Sequence, residues 1–212
     1  MFLRKKFFSL IALIAFAFSG ALLAAESGKV VIKGSTTVLP ITMKAIEAYK
    51  IIKPAVSVSV EGSGSGNGIK SLLEGTCDIA NSSREMKKEE LEKAKSSGLK
   101  IKEIVVAYDM IVPIVHPSNK VKNLTKDQLK GIYDGSITNW KQVGGDDMNI
   151  VVVSRDSSSG TYEYWHEDVM KKTDIRKDSL MQASNGAVVN TVANNKKAIG
   201  YIGFGYLDKS IK

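Results

Sequence analysis

The feature that most constrains this chain is a junction that recurs along it. A short apolar strand runs through a turn of serine, threonine and glycine into a helix. The fullest copy is Ser154-Arg155-Asp156-Ser157-Ser158-Ser159-Gly160-Thr161, after the apolar run Ile150–Val153 and before Tyr162–Met170, where apolar residues recur at helical spacing. Small hydroxyl residues and glycine at a helix start leave backbone N–H groups pointing outward, and the positive end of the helix dipole favours an anion there. Arg155 adds a planar donor fork suited to an oxyanion. One such loop usually does no more than cap its helix. Here Val30–Lys33 leads into Gly34-Ser35-Thr36-Thr37, Val56–Val60 into Gly62–Gly68, and Cys77–Ala80 into Asn81-Ser82-Ser83-Arg84. Repetition turns a capping habit into a candidate anion cradle.

Strand and helix signals alternate, which argues for parallel α/β sheets. Helices are expected over 38–52, 69–74, to about Ser96, over 125–133 with Thr125 as N-cap, from Tyr162, and over 186–195. Pro40 suits the first turn of the first helix. Strands are also expected over 99–107 and 198–203, and Met110–Val115 marks a crossing into a second domain. In open sheets of this kind ligands sit beyond the carboxyl ends of the strands, so the four polar loops are placed to converge.

Composition narrows the class. Arg4, Lys5 and Lys6 precede an apolar stretch from Phe7 to Ala25, the pattern of a cleaved secretory signal ending at Ala24 or Ala25, with no cysteine there for a lipid anchor. Removing those three from 30 basic residues leaves 27 against 22 acidic, a formal +5, too mild for a nucleic-acid footprint. Cys77 is the single cysteine, so no intramolecular disulfide forms. His116 and His166 are the only histidines and sit far apart in sequence, giving neither a metal-ligand set nor a catalytic triad with Ser159. The Gly62–Gly68 loop lacks the ending of a Walker motif and the spacing of a dinucleotide fingerprint.

Taken in order, Gly34–Pro40, Gly62–Ile69, Cys77–Arg84, Leu124-Thr125 with Ile132–Gly135 and Asn139-Trp140, Arg155–Thr161 and Ala198–Tyr201 resemble the PstS-like family, the substrate-binding proteins of phosphate ABC transporters. The resemblance implies a type II periplasmic-binding-protein fold: α/β, two lobes, a mixed sheet in each, a hinge between them, and closure on inorganic phosphate. It divides the chain into a signal peptide (1–25), lobe 1 (26–108), lobe 2 (109–200) and a return crossover into lobe 1 (201–212), without the C-terminal remainder that family members carry. By position, Ser35, Thr36, Thr37, Ser65, Ser82, Ser83, Arg84, Arg155, Ser159, Gly160 and Thr161 become the phosphate ligands. Serine at position 83 departs from the carboxylate that some members use to exclude sulfate; Asp156 or a backbone carbonyl is left to take that role. The implied function is extracytoplasmic capture of phosphate by a monomer and delivery to an ABC permease, with no cofactor, metal, nucleic acid or catalysis. The alternatives are a binder of sulfate, molybdate or a phosphonate, and a secreted phosphatase on the same fold.

Overall fold

A computed structural model describes residues 28–212, so the expected signal segment lies outside the described residues. Strand β1 (Lys29–Gly34) is the middle of a three-stranded sheet, flanked by β2 (Ser57–Gly62) and β3 (Ile79–Asn81), all parallel. Parallel neighbours need crossovers, and α1 (Leu39–Ile52) and α2 (Ser65–Leu73) supply them. Helix α3 (Lys88–Ser96) follows β3. The register places Gly34 opposite both Gly62 and Asn81. Three strands therefore end at one level, and the loops that follow them leave the sheet side by side.

The second sheet is mixed. Its order is β4 (Ile111–Val115), β7 (Ala198–Gly203), β5 (Val151–Arg155), β6 (Leu180–Gln182), with β4 antiparallel to β7 and the other pairs parallel. Helices α4 (Lys126–Asp134), α5 (Gly160–Asp168) and α6 (Asn185–Ala193) join these strands. Thr125 caps α4 as expected, its hydroxyl accepting the Gln128 amide at 3.1 Å. Every residue of β7 is buried, as a strand covered on both faces should be. Successive side chains enter opposite cores. Ile199 and Tyr201 pack with Tyr133, Trp140, Trp165 and Met170; Ala198 and Ile202 pack with Ile114, Val153, Val188 and Val192. Trp165 stacks on Tyr201 with ring centroids 4.3 Å apart.

Several local expectations are corrected. Residues 99–107 form no strand; Ile104, Val105 and Val106 are exposed and Tyr108 is 97% exposed, because no described strand lies beside this apolar run to pair its backbone. Helix α2 begins at Ser65, four residues before the expected start, so the glycine-rich loop is itself the first helical turn. Gly68 permits this: a Cβ there would sit 2.5 Å from Gly34 Cα, so the helix lies directly on the β1 backbone. Strand β6 was not expected. Residues 201–212 were expected to cross into lobe 1, but 201–203 finish β7 and Ile211 is buried in the second sheet's core. Lys212 pairs with Val115 through both backbone groups, at 2.8 and 2.9 Å. Lobe 1 keeps an open apolar face: α1 buries no residue and exposes Ile41, Met43, Tyr49, Ile51 and Ile52.

Candidate anion site at the strand ends

The loops after β1, β2 and β3 build one wall. The Ser35 amide donates to Asn81 O at 2.8 Å, fixing the first loop to the third. Ser35 Oγ accepts the amides of Thr37 and Val38 at 3.1 and 3.3 Å, so it caps the turn that opens α1. Thr36 is buried, and the Tyr206 hydroxyl donates to its carbonyl at 2.6 Å. Ser65 is fully buried at the start of α2; its Oγ accepts the Ser83 amide at 3.1 Å and pairs with Ser83 Oγ at 3.2 Å.

The opposite wall begins at the end of β5. Arg155 is 1% exposed, held by donation from Nε to Gln182 O and from Nη2 to Ala183 O, each at 3.1 Å. Its Nη1 is buried with no partner among the described residues. Burial pulls the guanidinium below the ordinary arginine range, a sign of how dry the position is. The Tyr201 hydroxyl accepts the Arg155 amide at 3.2 Å and pairs with Ser154 Oγ at 2.9 Å, which ties the strand end to β7. Burial raises that phenol to about 12. Ser159 is the N-cap of α5, accepting the Tyr162 amide at 3.2 Å. The amides of Gly160 and Thr161 lie in the first turn of α5, where no intrahelical acceptor exists.

The two walls meet. Thr37 Oγ1 and Thr161 Oγ1 are 2.9 Å apart. Ser158 O accepts the Gly66 amide at 2.8 Å, and Ser158 Oγ lies 3.4 Å from Ser63 O. A Cβ at Gly160 would stand 2.6 Å from Ser65 Oγ and 2.7 Å from Ser83 Oγ, so α5 approaches the first wall by its bare backbone. Ser35, Thr36, Thr37, Ser65, Ser83, Ser159, Gly160 and Thr161 are thus brought together, and Arg155 ends the strand that leads into the α5 loop.

Two expected ligands do not join. Ser82 Oγ donates to Arg84 O at 2.6 Å, which spends its proton inside its own turn. Arg84 is claimed by carboxylates: Nη1 and Nη2 donate to Glu90 at 2.8 Å each, and Nη1 also donates to Glu85 O. Its Nε lies 2.8 Å from Glu163 Oε2, a contact close enough for an ion pair but poorly aligned as a hydrogen bond. Glu163 belongs to α5 and also meets Lys87 at 3.0 Å. Arg84 is therefore half of a bridge between the lobes. Asp156 is also engaged, its Oδ1 accepting from the Ser158 amide at 2.9 Å and from the Ser158 hydroxyl.

Three participants were missed in the sequence. Asn185 at the start of α6 reaches Thr36 and Thr37, Tyr206 holds the Thr36 carbonyl, and Glu163 bridges the lobes. Each is read locally as a helix or loop residue, and its reach is tertiary. His166 stacks on Tyr162 at 5.7 Å and His116 Nδ1 faces Ser118 Oγ at 2.7 Å, so neither is placed as a base for Ser159, whose partner is an amide. Among the described residues no group of three or more His, Cys, Asp or Glu stands ready for a metal ion.

Two α/β sheets whose strand-end loops close on one another define a two-lobed α/β protein, and the chain belongs to the PBP superfamily domain family, whose model matches residues 19–211. Among particular proteins, it is 39% identical over 188 residues to the phosphate-binding protein PstS of Borreliella burgdorferi, covering 85% of this chain and 65% of that one. It is 36% identical over 181 residues to the protein of the same name from Staphylococcus epidermidis, covering 84% and 55%. The chain thus spans 55% to 65% of these two relatives' length. Among solved structures it is similar to a phosphate ABC transporter substrate-binding protein with bound phosphate from Clostridium perfringens, at 42% identity and TM-score 0.81, covering 87% of this chain and 74% of that one. An ABC-type phosphate transport receptor from Vibrio cholerae matches at 37% identity and TM-score 0.63, covering 86% and 74%.

Proposed function

We propose that this chain captures inorganic phosphate between its two lobes outside the cytoplasmic membrane and delivers it to an ABC permease, without catalysis. The observation that carries this is the buried Nη1 of Arg155, without a partner among the described residues, on the strand whose following loop and helix start bring hydroxyls and amides against the first wall. A multiply charged anion loses its water only where many convergent donors replace it. The site is built almost wholly of donors, and its single cation is fixed by backbone carbonyls rather than by a carboxylate. Ser159 and Thr161 bind through hydroxyl and amide; Ser159 Oγ accepts the Tyr162 amide, and among the described residues no histidine or carboxylate is its partner, which argues against a nucleophile.

We assign residues through 108 to lobe 1 and 109–200 to lobe 2, with a leader at 1–25 directing export. Selection of phosphate over fully ionised sulfate falls to hydroxyls, which accept as well as donate; the Ser65–Ser83 pair is the place where a protonated phosphate oxygen finds an acceptor. Calorimetric titration of residues 26–212 with phosphate, repeated in excess sulfate, tests this. Binding that sulfate leaves unchanged supports it, and heat with sulfate alone assigns the site to another tetrahedral oxyanion.

A further inference from the structure

The residue that decides how the cradle presents itself is not in the cradle. Asn185 is fully buried at the first position of α6. The Gly203 amide meets its side chain at 3.2 Å. An amide N–H only donates, so the atom facing it is the carbonyl oxygen, and the NH2 end points the other way. That NH2 donates to Thr36 Oγ1 at 3.1 Å and to Thr37 Oγ1 at 3.0 Å, and the Asn185 backbone amide adds a third donation, to Thr36 Oγ1 at 3.4 Å.

A hydroxyl has one proton and two lone pairs. Thr36 Oγ1 accepts twice from Asn185, so its proton is the one group it has left to offer. Thr37 Oγ1 accepts once and shares the contact with Thr161 Oγ1. If Thr37 donates in that contact, the Thr161 proton is left over; if Thr161 donates, the Thr37 proton is. Either way the pair presents one O–H outward. Resting on the anion-binding reading above, we propose that Asn185 is a positioning residue that fixes Thr36 and the Thr37–Thr161 pair as hydrogen-bond donors toward the bound anion. The asparagine comes from lobe 2 and the two threonines it meets from lobe 1, so the polarity is set as the lobes close. An open site presents hydroxyls free to rotate, and closure turns them into donors.

The test exploits an inversion of ordinary expectations about shape. Asn185→Asp keeps the outline but replaces the NH2 by an oxygen that only accepts. Both threonine protons then turn to the carboxylate, and the anion meets a like charge as well. Phosphate affinity at neutral pH is expected to fall on the order of 100-fold or more, from two lost charge-assisted hydrogen bonds. Asn185→Ala, which removes the bias without reversing it, is expected to lose on the order of 10-fold. The Asp variant should regain affinity as pH falls through the carboxylate range, against wild type titrated at each pH. The charged groups nearby are Arg155, on the carbonyls of Gln182 and Ala183, and Asp109, whose Oδ2 lies close to Gly203. A role in packing alone predicts the reverse order, with Asp milder than Ala, and that order overturns the proposal. Should Asn185→Asp not fold, a double-mutant cycle decides: Asn185→Ala is expected to cost within about twofold in a background that carries both Thr36→Val and Thr37→Val, and an undiminished loss there refutes the proposal. If wild type binds no phosphate, both this inference and the functional reading fall; if it binds and the variants bind equally well, only the inference does.

Discussion

Replacing Gly160 by alanine separates closure from folding. The added methyl would stand 2.6 Å from Ser65 Oγ, 2.7 Å from Ser83 Oγ and 3.2 Å from Ser65 Cβ. Ser65 is fully buried and its Oγ holds the Ser83 amide at 3.1 Å, so turning it aside breaks that bond. Overpacking of this kind costs about 1–3 kcal/mol. Taking about 2 kcal/mol, the closed form weakens on the order of 30-fold. The helix itself does not oppose the change: Gly160 is the first residue of α5, where alanine fits the helical backbone and narrows the unfolded chain's freedom. With the lobes apart, the methyl meets solvent. Calorimetry on Gly160→Ala is therefore expected to show phosphate binding weakened about 30-fold, while the phosphate-free thermal midpoint is held or slightly raised. Affinity within threefold of wild type would show that α5 does not close on Ser65 and Ser83, and the geometry of the site would be refuted.

Other consequences follow from the same contacts. Arg155→Lys keeps a charge but gathers its donors on one nitrogen, so it cannot span the Gln182 and Ala183 carbonyls and still direct a donor from a separate nitrogen to the anion, and phosphate affinity should drop about 100-fold or more; retention of affinity by titration would remove Arg155 from the site. Glu163→Gln breaks the contacts to Arg84 and Lys87 across the lobes. These groups are partly exposed, so about 1 kcal/mol is the expected scale, a roughly fivefold faster phosphate release in stopped flow with on-rate unchanged and the effect shrinking in high salt. Tyr201 is held at about 12, above its ordinary 10, because burial favours the neutral phenol. A raised folded-state pKa gives stability that is complete below pH 10 and lost as pH climbs from 10 toward about 12. Denaturant midpoints should fall across that window. Tyr201→Phe should flatten the slope without abolishing it, because burial also raises Tyr133; an unchanged slope would contradict the assignment.

What could be read from the residues alone was the local part of the design. The strand, turn and helix junctions at Ser35, Ser83 and Ser159 carry their own signals in pattern and composition, whereas at Ser65 the helix starts four residues earlier than the glycine-rich pattern suggested. Arg155 stood out as a cation inside a small-residue loop. Arg84 was named as a ligand only through the resemblance, and the sequence shows its charge but not the carboxylates of Glu90 and Glu163 that it meets in the fold. Residues 99–107 show the limit of periodicity. An apolar run reads as a strand, yet it forms one only beside a partner, and here no described strand offers one. Strand β6 was missed for the converse reason: three residues carry too little pattern, and it is their pairing with Val153, Ser154 and Arg155 that makes them a strand. Asn185 lay outside local reading altogether. Its partners Thr36 and Thr37 are nearly 150 positions away, and a serine and asparagine before an apolar helix read as a cap and its neighbour.

The central claim is that the donors brought together between the two walls, with Arg155, form a phosphate site. Calorimetric titration of residues 26–212 with phosphate, with the fold checked by circular dichroism and sulfate present in excess, tests it most directly. One-site binding of phosphate that sulfate does not displace is the result expected here. A folded chain that takes up no phosphate would contradict it.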